Sequence, residues 1–120
     1  MKNITLVIGA SENPARYSYK AIVMLKAHQQ KVIAFAKKEG NINDIIFVTT
    51  LPTTTDIDTI TLYINADAQK MYYNYFIELQ PRRVIFNPGT ENPELISLLK
   101  ENHIQALEAC TLVMLSTKQY

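Results

Sequence analysis

Short apolar runs rich in β-branched residues alternate with stretches of helical periodicity along this 120-residue chain. A strand followed by a helix returns to its sheet in the same direction, so the alternation favours parallel pairing with helices packed on both faces. "ITLVI" (residues 4–8) and "KVIAFA" (31–36) are apolar at nearly every position, as suits strands covered on both sides. Between them Ala21, Met24, Leu25 and His28 recur at helical spacing and mark one face of a covering helix.

The same rhythm continues to the end. After a polar turn around Gly40 and Asn41, "IIFVT" (45–49) reads as a short strand, and "TITLYI" (59–64) as the next. Asp67 stands where a cap is wanted for a helix whose apolar face is Tyr72, Tyr75, Phe76 and Leu79, with Pro81 ending it. "RVIF" (83–86) runs into "NPG", Asn92–Pro93 begins a helix carrying Leu95, Leu98 and Leu99, and "IQALEA" (104–109) is a final strand. The expectation is one domain over residues 1–120, a three-layer α/β/α doubly wound parallel sheet of about five strands, of Rossmann type.

Composition narrows the function classes. With 48% apolar residues, 19% charged residues and a net charge of +1, the chain lacks the basic excess of a general nucleic-acid binder. No apolar run is long enough for a membrane span or signal core, and a single cysteine cannot bridge internally. A cytoplasmic protein with no nucleic-acid or membrane partner is expected.

Ligands of such sheets bind outside the carboxyl ends of the strands, where the strand order reverses. The loops there are "GASENP", "KKEGN", "NADA" and "NPGTEN". Gly9 permits close approach of backbone to a ligand, and Ser11 and Asn13 offer polar groups at the mouth of the next helix. The first amides of that helix and the positive end of its dipole favour a pyrophosphate or carboxylate, with Arg16 beside them. A strand-to-helix connection with a capping serine is the plainer reading of the same residues. The loop is not the dinucleotide fingerprint, because Ser11 and Pro14 stand where its second and third glycines belong. Where an NAD site would place an acidic residue after the second strand, the chain has Lys37 and Lys38. That pair suits a phosphorylated ribose, as in coenzyme A or NADP, or serves as a solvated turn.

"VIGASENPARYSY", "NPGTENPE" and "EACTLVML" together resemble the small single-domain CoA-binding proteins, which are similar to the N-terminal domain of the succinyl-CoA synthetase α subunit. The resemblance rests on Gly9, Ala10, Ser11, Asn13, Pro14, Arg16, Ser18 and Tyr19 in the first loop, Val84 to Gly89 near the fifth, and Cys110. It implies a coenzyme A or acyl-CoA site with the pyrophosphate at Gly9–Asn13, charge from Arg16, Lys37 and Lys38, and an opposite wall of Asn87, Pro88 and Gly89. The chain departs from the family where Phe35, Ala36 and Lys37 replace V-N-P, and where Tyr63 and Ile64 replace F-R.

No histidine neighbours Cys110 in sequence, and no Cys, His or carboxylate spacing resembles a metal site. Cys110 reads as a small buried residue. Asp56 and Asp58 fit turn formation and a strand start as well as acid–base work. Tyr72, Tyr73 and Tyr75 suit a core and its rim, stacking on adenine, or a homodimer surface. A non-catalytic module binding a nucleotide-like small molecule is the leading expectation. An interaction protein on a scaffold that no longer binds nucleotide stays open, as does an NADP-linked or acyl-transfer enzyme using Ser11, Tyr19 or Cys110.

Overall fold

The computed structural model describes residues 2–120. Its centre is a five-stranded, wholly parallel sheet of β1 (Ile4–Ile8), β2 (Lys31–Phe35), β5 (Ile57–Leu62), β6 (Arg83–Phe86) and β7 (Gln105–Glu108), in the order β2-β1-β5-β6-β7. The chain builds outward from β1 to β2, crosses back over β1, and builds outward the other way. The reversal lies between β1 and β5.

Two buried clusters account for the three layers. On one face Leu6, Ile8, Ile60, Leu62, Val84 and Phe86 meet Tyr72, Phe76, Leu95 and Leu99. These come from the helical segment α2 (Ala66–Gln69), a 3-10 turn (Lys70–Tyr72) and α3 (Tyr73–Leu79), and from α4 (Pro93–Glu101). On the other face Val7 and Ala34 meet Ile22 and Leu25 of α1 (Tyr17–Ala27) and Leu115 of α5 (Thr111–Ser116). Fully burying one such Leu or Ile side chain contributes about 1.5–3 kcal/mol. The consecutive apolar residues of β1 thus serve both layers.

The second face is more polar than the strand pattern suggests. Thr5, Thr59 and Arg83 are register neighbours across β1, β5 and β6, and all three are buried. Arg83 Nε donates to Thr59 Oγ1 at 2.9 Å. Its guanidinium carbon lies 4.5 Å from the ring centroid of Tyr120, whose hydroxyl in turn meets Thr5 Oγ1. The buried guanidinium is thus met by the Tyr120 ring and the Thr59 hydroxyl, which in turn donates to the Asp58 carboxylate at 2.7 Å, close enough for the two charges to act on each other.

Several elements differ from expectation. "IIFVT" adds no strand to the main sheet. Ile45–Ile46 (β4) pairs antiparallel with Asn41–Ile42 (β3) in a small hairpin, and Val48 then runs beside β2 through an isolated parallel bridge to Phe35. The main strand after it begins earlier, at Ile57, and ends at Leu62. Asn65, not Asp67, caps the next helix, its Oδ1 accepting from Ala68 N–H at 2.9 Å. Asp67 instead pairs with Lys70 one turn on. The helix is broken at Lys70–Tyr72, so Tyr72 and Phe76 reach the core from different segments. His28 is exposed as the C-cap of α1, and the buried face of that helix is Ser18, Ala21, Ile22 and Leu25 rather than one running through Met24 to His28. Asn92 does cap α4, accepting from Leu95 N–H at 3.1 Å with Pro93 behind it.

Candidate functional site

The reversal of strand order opens a crevice of about 750 Å³ at the carboxyl ends of the strands. One lip is the loop after β1 with the start of α1, from Gly9, Ala10 and Ser11 to Arg16, Tyr17 and Ser18. Ala36 and Lys37 follow β2, Tyr63, Ile64 and Asn65 follow β5, and Asn87 to Thr90 follow β6; Cys110 and Leu112 close the far side at the start of α5. This volume falls within the range of small-molecule sites.

Gly9 is required for a reason internal to the chain. Its φ is +97°, and a Cβ there would stand 2.8 Å from Ile64 Cγ2 and 3.2 Å from the Tyr63 carbonyl. The close approach the glycine allows is therefore to the loop after β5, which nests against it. Gly9 N–H and Ala10 N–H both donate to Phe35 O at 3.0 Å, fixing the loop to β2 as well.

The rest of the loop is a chain of local turns. Asn13 N–H donates to Ser11 Oγ at 3.1 Å, Ala15 N–H to Asn13 Oδ1 at 3.0 Å, and Arg16 N–H to Asn13 O at 3.0 Å. Short polar side chains that satisfy nearby backbone shape such turns. Neither of them caps the helix: the N-cap is Arg16, and no side chain bonds the first amides of α1. A helix of this length with an uncapped start offers its amides and dipole to an anion. Asn13 and Pro14 are exposed outside the crevice lining, and Tyr19 packs against the Val7 cluster.

Glu12 ties this loop to the one after β2. Its carboxylate accepts from Asn41 N–H at 2.9 Å, and Gly40 leaves room for it, since a Cβ there would lie 2.8 Å from Glu12 Cδ. In sequence Glu12 looks like one more solvated loop residue, and nothing marks it as a tie.

Asn87 is buried and fully committed to the fold. Its Nδ2 donates to Thr61 Oγ1 at 2.7 Å and Leu62 O at 2.9 Å, and its Oδ1 accepts from Thr111 N–H at 2.9 Å. One amide thus joins the ends of β5 and β6 to the start of α5, and shapes the wall rather than reaching into the crevice. Pro88 and Gly89 are exposed on that wall, with Gly89 at φ +92° and open space around it.

Positive charge at the mouth comes from Arg16 and Lys37, both exposed and unpaired by any carboxylate among the described residues. Lys38 is exposed but stands outside the lining. Among the residues sequence reasoning missed, Tyr17 is a well-exposed aromatic at the mouth and Thr90 is buried in the wall. Tyr63 enters the sequence reading only as a departure from the family. Its hydroxyl is buried and makes no well-formed hydrogen bond among the described residues. The neighbouring Thr61 and Thr111 hydroxyls are bonded to each other at 2.8 Å. Burial pushes its ionisation up to about 12, the threonines offsetting this only in part.

Cys110 is half-buried and lines the crevice, which corrects its reading as a buried core residue. Neither His28 nor His103 is part of the lining. Asp56 and Asp58 lie at the opposite end of the sheet, where Asp58 forms a two-point ion pair with Arg82 at 2.9 and 3.0 Å. The tyrosines of residues 72–75 also lie outside the crevice: Tyr72 packs edge-on against Phe35, and the Tyr73 hydroxyl bonds Asn92 and Glu94. Among the described residues, no three His, Cys, Asp or Glu side chains gather as a metal site, and no helix is long and apolar enough to cross a membrane.

Residues 3–116 match the sequence pattern of a CoA binding domain family. A crystal structure of an uncharacterized protein is 42% identical, superposes with a TM-score of 0.95, and is covered over 99% of its length by 100% of this chain. A Thermus thermophilus structure (18% identity, TM-score 0.84, 99% of this chain on 91% of that one) shares the fold. So does a hypothetical protein from Pyrococcus horikoshii OT3 (21% identity, TM-score 0.84, 97% on 82%). No curated protein sequence matches the chain.

Proposed function

Because the chain belongs to the CoA binding domain family, we propose that it is a non-catalytic module holding coenzyme A or an acyl-CoA across the carboxyl ends of its strands. The observation that carries this reading is the meeting, in one crevice, of an uncapped helix start with two cations, Arg16 and Lys37, that no carboxylate among the described residues pairs. The pyrophosphate lies against the Gly9–Ser11 turn and the first amides of α1, with Arg16 beside it. Lys37 takes the phosphate on the adenosine ribose. Asn87, Pro88 and Gly89 form the facing wall.

An enzyme reading has less support. Cys110 borders the crevice, but the two histidines that would activate it are elsewhere. The alternative of a scaffold that has lost its ligand has less support, since it gives no account of two cations meeting an uncapped helix start at one crevice.

Isothermal titration of the full chain with coenzyme A and with dephospho-CoA tests the proposal. Saturable binding, stronger for coenzyme A, is expected. Absence of binding at millimolar ligand would overturn it, and equal binding of the two would remove Lys37 from its assigned role.

A further inference from the structure

Behind the crevice wall lies a buried amide that sequence reasoning passed over. Gln69, the last residue of α2, is fully buried. Its Nε2 donates to Ile64 O at 2.9 Å and to Thr90 O at 2.8 Å. Its Oε1 accepts from Asn92 Nδ2 at 2.9 Å. Two carbonyls facing one nitrogen fix the amide orientation, because the reverse would set oxygen against both of them.

Ile64 and Thr90 both border the crevice, one on the loop after β5 and the other on the loop after β6. Gln69 is the side chain that spans them. The loop after β5 is in turn the one that nests against Gly9. Asn92 extends the tie outward, its Nδ2 also donating to the Tyr73 hydroxyl at 2.8 Å, which donates to Glu94 at 2.9 Å.

We infer that Gln69 is a positioning residue for the ligand crevice, setting the separation of its β5 and β6 walls through the Ile64 and Thr90 carbonyls. The inference rests on the coenzyme A reading for its ligand and on the hydrogen bonds above for its geometry. A ligand between the walls meets them already spaced, so binding does not carry the cost of ordering them. Removing the bridge takes the Gln69 donor from the buried Thr90 carbonyl and the part-buried Ile64 carbonyl, and both loops relax to find another.

Two variants of the full chain test this, with folding followed by circular dichroism. Gln69→Met keeps the length of the side chain and removes its donors; it is expected to weaken coenzyme A binding about tenfold or more. Gln69→Glu separates positioning from packing through pH. Protonated, the introduced carboxyl group donates to one carbonyl; ionised, it faces both with negative charge. Its buried ionisation is expected between about pH 6 and about pH 9. The affinity of the Gln69→Glu protein relative to wild type should therefore fall as pH rises through that window while the protein stays folded. A folded Gln69→Met protein with wild-type affinity, or a Gln69→Glu ratio that does not change with pH, would overturn the inference. If Gln69→Met does not fold, the Gln69→Glu profile decides.

Wild-type protein that fails to bind coenzyme A would count against the ligand, not against the bridge. In that case amide hydrogen exchange of the ligand-free Gln69→Glu protein decides. Expressed as protection factors, which remove the base-catalysed rise of intrinsic exchange with pH, weaker protection at residues 63–66 and 89–92 above the window, with residues 4–8 unchanged, supports the bridge, and a uniform response refutes it.

Discussion

A methyl group on Gly9 would stand 2.8 Å from Cγ2 of Ile64, whereas one on Gly89 would meet nothing. Both glycines have positive φ, +97° and +92°, so the two differ in surroundings and not in backbone strain. Gly89→Ala is expected to cost about 1–2 kcal/mol from strain alone. Gly9→Ala adds a clash with the neighbouring loop and is expected to cost roughly 3 kcal/mol or more. Urea denaturation of the two variants checks the order; equal losses would mean that the loop moves aside freely.

Asn87 bonds three partners from two other elements. Asn87→Ala strands the Thr111 N–H and the Leu62 carbonyl in a buried setting. A loss of about 3 kcal/mol is expected. An Asn87→Ala midpoint within about 0.5 kcal/mol of wild type in chemical denaturation would show that water or loop movement replaces the amide.

Among the described residues the buried Tyr63 hydroxyl makes no well-formed hydrogen bond, the adjacent Thr61 and Thr111 hydroxyls being bonded to each other, so removing it should help. Tyr63→Phe is expected to stabilise the protein by about 1 kcal/mol, read as a raised melting temperature. A clear loss of stability would show that the hydroxyl has a partner in solution.

Alkaline pH should act through the same residue. Burial pushes Tyr63 and Tyr75 up to about 12, while an unfolded tyrosine ionises near ~10. Below that both states hold the proton and stability does not depend on these groups. Between about 10 and about 12 the unfolded chain releases protons that the folded chain keeps, so stability falls as pH rises. Denaturation midpoints measured across this window should decline, and Tyr63→Phe or Tyr75→Phe should make the decline shallower.

Arg16 and Lys37 border the crevice while Lys38 does not. Arg16→Gln and Lys37→Gln are each expected to weaken coenzyme A binding about fivefold, equivalent to roughly 1 kcal/mol, and Lys38→Gln to leave it unchanged. The two losses should shrink at high salt. Titration calorimetry at two salt concentrations checks both statements.

The strands were legible because a parallel sheet demands apolar residues on both faces, and "ITLVI" and "RVIF" have them at the observed bounds. "IIFVT" misled for the same reason: its run is apolar, but only Ile42 and Phe47 around that hairpin are buried, and Ile46 is exposed. Caps placed by adjacent residues were readable at Asn92 and not at Asn65, where a nearby Asp67 offered the same chemistry. The loops that meet at the crevice followed from strand order. Their ties did not, because Glu12 to Asn41, Gly9 to Ile64 and Gln69 to Thr90 join residues far apart in sequence.

Since β1 sits between β2 and β5, the crevice is a seam between an early half of the chain and a late one. A ligand lodged there would act as a rivet. Its hold would be felt in the unfolding of the whole molecule, raising the melting temperature with ligand concentration, and either half alone would keep only one edge of the site.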